Sequence, residues 1–340
     1  MPKPIRVALA GYGLAGKAFH APLIAATEGL ELVCVVSGDA AKVHADWPGV
    51  AVVGNLEAAI SDASIDLAVI ATPDHLHAAQ AMAALEAGKH VVIDKPLAPT
   101  LAEAQEIAAR AKRSRRIVSV FHNRRWDADF LTLRHLLDQG VLGDVAEFES
   151  HFDRFRPEVS DRWKDQRAGG VWQDLGPHLI DQALVLFGMP QAVFADIAVQ
   201  KRGGHAADYA QVLLRYDRLR VTLHMSQLCA AHGLRFAVHG SEGSYIKHGL
   251  DPQEPQALAG MCPAHAEWGI DPNCGVLTDA ALAESDVANQ AGDYPAYYAA
   301  LRDAICGEGA NPVPLDQALN VMRVIDAGLL SAAERREAVL

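Results

Sequence analysis

Two short stretches of the sequence contain residues that could move a proton. Lys95 lies between the apolar run "VVID" and Pro96, while Asp174 and His178 are four residues apart in "WQDLGPHLID". A positioned lysine or histidine can take a proton from a substrate hydroxyl, and a carboxylate can orient that hydroxyl. These residues predict acid–base catalysis. Each residue also has a structural alternative. Lys95 could form a surface ion pair with Asp94, Asp174 could cap a helix, and His178 could be a buried, hydrogen-bonded imidazole.

A glycine-rich loop lies near the start of the chain. In "VALAGYGLAGKAFH", Gly11, Gly13 and Gly16 follow an apolar strand and open a helix, with Tyr12 and Leu14 between them. In such a loop the first glycine permits a tight turn, the second lets the backbone approach a pyrophosphate, and the third lets the helix pack closely. A helix N-terminus also attracts phosphate. The pattern predicts that these five residues bind a dinucleotide, with a purely structural turn as the alternative.

The end of the second strand usually distinguishes NAD from NADP. In "VVSGDAAK", Ser37 occupies the place where an acid normally binds the ribose hydroxyls, and Asp39 and Lys42 follow. No arginine follows Ser37 to bind an extra phosphate. Asp39 either reaches the ribose or caps the next helix. NAD and NADP therefore both stay open, with a slight preference for NAD.

The predicted elements would position the proton-transfer residues. A Rossmann sheet binds its ligand outside the carboxyl ends of its strands, so Lys95 is expected beside the nicotinamide. Gly176 and Pro177 predict the N-cap and first residue of a helix, which places His178 in the first turn. There the helix dipole would favour a neutral imidazole, the form that accepts a proton.

Up to residue 122, short apolar strands alternate with helical patterns. The expected strands are 5–10, 32–36, 51–53, 67–71, 90–93 and 117–121, and the expected helices include 17–28, 75–87 and 101–112. This order predicts a parallel sheet covered on both faces. We therefore predict an α/β fold in which residues 1–122 form a dinucleotide-binding Rossmann domain with a doubly wound parallel sheet.

Residues 123–340 show a different pattern. Helices are expected at 129–139, 178–187, 295–305 and 316–335. The stretch "DVAEFESHFD" and the runs 193–200, 209–216, 219–227, 235–239 and 244–247 alternate in polarity, which predicts a large, open, mainly antiparallel sheet. The Pro- and Gly-rich segment 251–293 is interpreted as a long excursion or loop. We predict that 123–340 is an α+β domain for substrate binding and oligomerisation.

Longer strings make a family resemblance plain. Together with "GYGLAG", the segments "ATPDHLH", "GKHVVIDKP" and "DLGPHLIDQ" resemble the glucose–fructose oxidoreductase / inositol dehydrogenase / rhizopine catabolism (Gfo/Idh/MocA) family over nearly the whole chain. The chain is most similar to bacterial scyllo-inositol dehydrogenase-like oxidoreductases, through "SVFHNRRWDADFLTL", "ESHFDRFRPEV" and "GDYPAYYAALRDAI". These strings are far more specific than the glycines.

The resemblance implies a hydride-transfer enzyme in which Lys95, Asp174 and His178 are catalytic. It also implies a cis bond between Lys95 and Pro96 and a cofactor-binding acid at Asp94, where the family usually has the longer glutamate. The further residues that it places near the cofactor are Thr72, Pro73, His77 and Asn123.

A polyol substrate requires several hydrogen-bonding side chains around one carbon. The candidates are Lys95, Asn123, Arg124, Arg154, Arg156, Trp163, Asp174 and His178. The predicted reaction is reversible hydride transfer between nicotinamide C4 and a ring CH–OH, with scyllo-inositol to inosose as the preferred case. The alternatives are an NAD-dependent glycosidase of the same fold and a non-catalytic dinucleotide or sugar sensor. The sensor hypothesis expects the lysine or histidine to be replaced, and both are present.

Composition limits the partners and the compartment. The formal net charge of −12 argues against nucleic acid and anionic membranes. No apolar run reaches the length of a membrane span, and "MPKPIRVALAGYG" lacks the features of a signal peptide. Five scattered cysteines indicate free thiols, so we expect a cytoplasmic protein.

No metal site is expected, because Cys262, His265 and Cys274 match no zinc spacing. The open sheet face and the family resemblance favour a homodimer or homotetramer.

Overall fold

The computed structural model describes residues 3–159, 169–231 and 233–340. The candidate residue Trp163 lies outside these ranges. The chain forms two compact units: the first contains Met1–Trp126, Gln253–Trp268 and Asp293–Leu319, and the second contains Asp127–Pro252, Gly269–Gly292 and Asn320–Leu340. Two later segments therefore join the first unit, and the division of the chain at residue 122 stays a prediction.

The first unit contains a sheet of six parallel strands. These are β1 (Ile5–Ala10), β2 (Leu30–Val36), β3 (Ala51–Val53), β4 (Leu67–Ile70), β5 (His90–Asp94) and β6 (Val118–Phe121), in the order β3-β2-β1-β4-β5-β6. All four residues of β4 are fully buried, as are Val7 and Leu9 of β1. A strand covered on both faces needs apolar side chains on both sides, which explains the continuous apolar runs. The predicted doubly wound parallel sheet is confirmed.

Helices connect these strands. Residues 14–26 are helical, with a π-helical turn at Gly16–His20 followed by α1 (Ala21–Ala26). The next helices are α2 (Ala40–Asp46), α3 (Leu56–Ile60), α4 (His77–Glu86) and α5 (Leu101–Ser114). Helix α5 begins with a capping box, in which Thr100 Oγ1 accepts from Glu103 N and Glu103 Oε2 accepts from Thr100 N.

The later elements include a second, nine-stranded sheet. In chain order they are α6 (Ala128–Asp138), β7 (Val145–Asp153), α7 (Gly170–Phe187), β8 (Ala192–Ala198), β9 (Tyr209–Arg215), β10 (Arg220–Ser226), β11 (Leu234–Gly240), β12 (Gly243–His248), α8 (Gln253–Leu258), β13 (Gly275–Asp279), β14 (Glu284–Val287), α9 (Pro295–Cys306), α10 (Leu315–Glu334) and β15 (Ala338–Val339). The order is β14-β13-β12-β11-β7-β10-β9-β8-β15. Among the described strands of this second sheet, only β7 and β10 pair in parallel, so the predicted mainly antiparallel sheet is confirmed.

The alternation along β7 separates the two faces of this sheet. Phe148, Ser150 and Phe152 are buried, and the ring of Phe148 lies 5.3 Å from that of Phe187 in α7, centroid to centroid. Because successive side chains of a strand point to opposite faces, Glu149 and His151 lie on the face away from α7.

A buried arginine joins the elements of the second unit. Arg235 on β11 is 1% exposed and donates to Asp129 Oδ2 at 2.9 Å, to Ser150 Oγ at 2.8 Å and to Gln182 Oε1 at 2.6 Å. These partners lie on α6, β7 and α7. Removing one partner of a buried ion pair typically costs about 3–5 kcal/mol. The guanidinium therefore fixes the packing of both helices on the sheet.

The predicted start of the helix before His178 is wrong. Helix α7 begins at Gly170, so Pro177 lies inside it and Gly176 is not its N-cap. The missing N–H of Pro177 removes one hydrogen bond of the helix, a loss that the burial of apolar side chains along α7 outweighs. Gly170 adopts a φ of 48°, and a Cβ there would lie 2.0 Å from Ala207 O. The pair Gly169–Gly170 was the sequence feature that marked the true start.

The interpretation of 251–293 as a loop is also wrong. This segment contains α8 and the hairpin of β13 and β14, which extends one edge of the nine-stranded sheet. Three of the four β14 residues are exposed, so that strand lacks the apolar alternation that would have revealed it. Among the helices of the described residues, none combines the length and the apolar character that a membrane span requires.

Candidate functional site

The glycine loop after β1 packs tightly against backbone. Gly11 has a φ of 95°, and a Cβ on it would lie 2.6 Å from Ala71 O, directly after β4. A Cβ on Gly16 would lie 2.1 Å from Gly11 O. Both distances are far below van der Waals contact, so neither position accepts a side chain. The loop therefore depends on glycine for its φ angle at one position and for close approach at the other.

The middle glycine borders open space. A Cβ on Gly13 would have no neighbouring atom within 4 Å, and the adjacent Leu14 is 62% exposed. The loop follows β1 beside β4, where the strand order of the sheet reverses, and doubly wound sheets bind dinucleotides at this point. An approachable backbone at the start of a helix fits a pyrophosphate.

Charged side chains hold the loop in place. Tyr12, which is 5% exposed, donates its hydroxyl to Asp46 Oδ2 at 2.8 Å, and Lys17 Nζ lies 2.8 Å from the same oxygen. The hydrogen bond from Lys17, followed by that from Tyr12, lowers the pKa of the Asp46 carboxyl. Lys42 Nζ donates to Tyr12 O at 2.9 Å. No motif in the sequence indicated the contribution of Lys17 and Asp46.

The residues after β2 form a helix cap. Asp39 Oδ1 accepts from Lys42 N at 3.0 Å at the start of α2, and Ser37 Oγ accepts from Asp39 N at 3.1 Å. Of the two roles considered for Asp39, the structure shows helix capping. The side chain of Lys42, on the first turn of α2, brings a positive charge to the edge of the glycine loop.

The loops after β4 and β5 are joined by a buried histidine. His77 is 1% exposed; its Nδ1 lies 2.8 Å from Pro96 O and its Nε2 lies 2.9 Å from Thr72 O. Thr72 donates its hydroxyl to Gln80 Oε1 at 2.7 Å, and Pro73 is exposed. Both ring nitrogens of His77 thus face backbone carbonyls, so this residue positions the two loops.

Lys95 lies at the carboxyl end of β5, on the same edge of the sheet as Gly11 and Thr72. Asp94 Oδ1 accepts from Lys95 N at 2.8 Å, and both residues are half-buried. The Lys95–Pro96 bond is cis, as the family resemblance implied. The lysine is thus where the strand pattern predicted it.

The two polar candidates after β6 lie in the 3₁₀ turn Asn123–Trp126. Asn123 is 8% exposed and Arg124 is 6% exposed. The guanidinium of Arg124 donates to the carboxylate of Glu254 in α8. Because Glu254 belongs to the segment that we interpreted as a loop, the sequence did not reveal this partner.

The remaining candidates belong to the second unit. Asp174 and His178 lie on one side of α7 because they are four residues apart; the first is half-buried and the second is 7% exposed. Since α7 starts at Gly170, His178 is not in the first turn, and the expected effect of the helix dipole on its imidazole is wrong. The guanidinium of Arg154 lies 4.9 Å from the ring centroid of Phe152, and Arg156 is exposed.

A neutral histidine is buried beside Asp94. His20 is fully buried, its Nδ1 lies 2.6 Å from Tyr298 OH and its Nε2 lies 4.0 Å from Asp94 Oδ1. Burial lowers the pKa of His20 to about 4; Asp94 opposes this shift and His77 adds to it. The ring packs on Phe121 at 4.4 Å between centroids. His20 therefore supports the end of β5 as an uncharged residue.

We predict that His20 makes the stability of the protein depend on pH. The folded protein binds fewer protons than the unfolded chain between the ordinary pKa of 6.5 and about 4, so the free energy of unfolding falls as the pH drops through this window. The loss amounts to about 3 kcal/mol at most. Urea unfolding followed by circular dichroism from pH 7.5 to 4 should show a smaller decrease in His20→Gln than in the wild type. His44→Gln, at an exposed position, is the control. An equal decrease in His20→Gln and the wild type would refute the prediction.

Comparisons with known proteins agree with this geometry. Residues 5–122 match the Gfo/Idh/MocA model described as "Oxidoreductase family, NAD-binding Rossmann fold", and residues 134–340 match the corresponding C-terminal alpha/beta domain. Oxidoreductase YdgJ of Escherichia coli K12 is 53% identical, over 97% of each chain. The Bacillus subtilis protein named scyllo-inositol 2-dehydrogenase (NADP(+)) IolW is 37% identical, over 99% of this chain and 96% of its own. The structure of the oxidoreductase YPO2259 from Yersinia pestis superposes with a TM-score of 0.97 at 49% identity, over 100% of this chain and 98% of that one.

Proposed function

The chain belongs to the Gfo/Idh/MocA oxidoreductase family, and from this premise we propose that it is an NADP-dependent dehydrogenase of a cyclic polyol, with scyllo-inositol as the substrate. The observation that carries the nucleotide part is the Gly11–Gly16 loop, whose open side at Gly13 fits a pyrophosphate. The substrate part is supported by the resemblance to IolW, which is named for this activity.

The proposed reaction removes a hydride and a proton from one ring CH–OH and yields a ketone. A nicotinamide, when bound, would supply the hydride acceptor, so this chain's own residues would have to take the proton. Lys95 and His178 are the two proposed acceptors, because amine and imidazole groups exchange protons near neutral pH when they are suitably placed. Asp174 lies on the same side of α7 as His178 and orients the hydroxyl or the imidazole. In the reverse direction the same groups return the proton to the ketone oxygen.

Substrate recognition uses polar side chains around the reacting carbon. We propose that Asn123, Arg124, Arg154, Arg156 and Trp163 bind the ring hydroxyls together with the three proton-transfer residues. Because Arg124 already pairs with Glu254, this pair presents a donor and an acceptor together. Such an arrangement suits a polyol, whose hydroxyls both donate and accept hydrogen bonds.

The proposed activity is tested by following reduced nicotinamide in the near ultraviolet with scyllo-inositol, myo-inositol and D-glucose, each with NAD+ and NADP+. We expect turnover with an inositol. Lys95→Met and His178→Gln should each lower kcat by about 10²–10⁴-fold, the usual contribution of a general acid–base group. Lys112→Met and His239→Gln, at exposed positions, serve as matched controls and should retain activity.

Dinucleotide affinity is measured in parallel by fluorescence quenching. Absence of turnover with every polyol, in a protein that binds the cofactor, would contradict the dehydrogenase proposal. The glycosidase alternative then predicts cleavage of a glycoside without net reduction of cofactor, whereas the sensor alternative predicts ligand binding without turnover. Full activity in both Lys95→Met and His178→Gln would instead refute the assignment of the proton acceptors.

The preference for NADP is supported by the residues after β2. NAD-binding sites usually present an acid to the ribose hydroxyls, but the carboxylate of Asp39 caps α2. That contact weakens the slight preference for NAD suggested by the sequence. Ser37 offers a hydroxyl and Lys42 a positive charge beside the loop, and both groups suit a 2′-phosphate. The name of IolW, which specifies NADP(+), points in the same direction.

We predict that Lys42→Ala selectively weakens the use of NADP. Losing one charge-assisted contact to phosphate corresponds to about 1.5–3 kcal/mol, so KM for NADP+ should rise about 10- to 100-fold. KM for NAD+ should change little, because NAD lacks the 2′-phosphate. Steady-state kinetics with both cofactors measure the difference, and Lys112→Ala is the control. A parallel rise in KM for both cofactors would show that Lys42 only supports the loop.

We also propose assembly of two or four chains through the open face of the nine-stranded sheet. Phe194 on this face is 46% exposed and pairs with the half-buried Leu213. Light scattering coupled to gel filtration should give two or four times the chain mass of 36.4 kDa, and Phe194→Glu should lower that mass. Leu282 lies in a turn and is 83% exposed, so Leu282→Glu should leave the mass unchanged. A monomeric mass for the wild type would refute the proposal.

A further inference from the structure

Two histidines and an aspartate converge on the sheet of the second unit. His151 and Asp153 lie on β7, His224 lies on the parallel neighbour β10, and the pairing register places His224 directly beside His151. One ligand atom from each of the three lies within 4.8 Å of the others. Asp153 is 9% exposed and both imidazoles are partly buried.

The distances are those of ligands arranged around a common point. His151 Nδ1 lies 3.4 Å from Asp153 Oδ2, and His224 Nδ1 lies 2.8 Å from Asp153 Oδ1. In a tetrahedral zinc site with bonds of about 2.0–2.1 Å, neighbouring ligand atoms are about 3.3 Å apart. The two measured separations, 3.4 Å and 2.8 Å, lie on either side of this spacing.

A fourth residue orients one of the histidines. Glu149 also lies on β7, and its Oε2 is 3.1 Å from His151 Nε2. A carboxylate that accepts from one ring nitrogen leaves the other nitrogen free of its proton and able to bind a metal, and metal-binding histidines usually have such a partner.

We propose that His151, Asp153 and His224 bind a divalent transition-metal ion, with Zn²⁺ as the best match for two imidazoles and one carboxylate, and that Glu149 positions His151. These side chains lie on the face of the sheet away from α7, which carries Asp174 and His178. The ion therefore has a structural role, because it joins β7 to β10. The site is independent of the proposed dehydrogenase activity.

The site is tested with tag-free, full-length protein that has been treated with EDTA and dialysed. Calorimetric titration with ZnCl₂ should show one ion bound per chain, and Zn²⁺ should raise the melting temperature. His224→Ala and, as a second variant, His151→Gln should abolish this binding. Glu149→Gln should weaken it about 10- to 100-fold, as loss of an orienting carboxylate does. His239→Ala removes an exposed histidine from the neighbouring strand β11 and is the matched control.

Circular dichroism confirms that each variant is folded before titration. The absence of saturable one-to-one binding in the wild type would show that the cluster is only a hydrogen-bonded network. Binding unchanged in His224→Ala or His151→Gln, or lost equally in His239→Ala, would also overturn the proposal. Wild-type affinity in Glu149→Gln would refute the role of Glu149. None of these measurements uses nicotinamide or polyol, so failure here is distinct from failure of the proposed function.

Discussion

The close approach of two loops at the centre of the parallel sheet determines the geometry of the first unit. Gly11 lies so near to the backbone at Ala71 that a single methyl group would not fit, and Gly16 lies even closer to Gly11. These contacts bring the end of β1, the end of β4 and the start of the first helix together. Because the strand order reverses at this point, the loop opens outward at Gly13.

The surrounding polar contacts maintain that arrangement. Tyr12, Lys17 and Asp46 connect the loop to α2, and His77 connects the loops after β4 and β5. Lys95 follows the end of β5, and these contacts hold the chain segments on both sides of that strand end. The candidate nucleotide residues of this unit thus form a continuous set along one edge of the sheet, where dipoles and charges suit a phosphate-bearing ligand.

In the second unit, buried polar residues are held by hydrogen bonds and ion pairs on the two faces of the nine-stranded sheet. Its sheet has one covered face, on which Arg235 satisfies Asp129, Ser150 and Gln182. On the opposite face the alternation of β7 collects Glu149, His151 and Asp153, and β10 contributes His224. A buried charge is stable only when it is paired. The two faces of the same strands therefore carry two separate polar groups, the arginine network on one face and the proposed metal ligands on the other.

Local patterns in the sequence determined the parallel sheet, the glycine loop and the position of Lys95. Their causes are local: strand burial requires apolar runs, a φ of 95° favours glycine, and Pro96 ends a strand. The start of α7 was predicted wrongly because Pro177 was taken as the first helical residue, whereas the burial of the turns before it outweighs the usual effect of proline. Likewise, β13 and β14 are short and β14 is largely exposed, so neither strand shows apolar alternation. The Arg124–Glu254 pair and the His151–Asp153–His224 cluster depend on residues that are far apart in sequence, and only strand register and tertiary packing bring such residues within hydrogen-bonding distance.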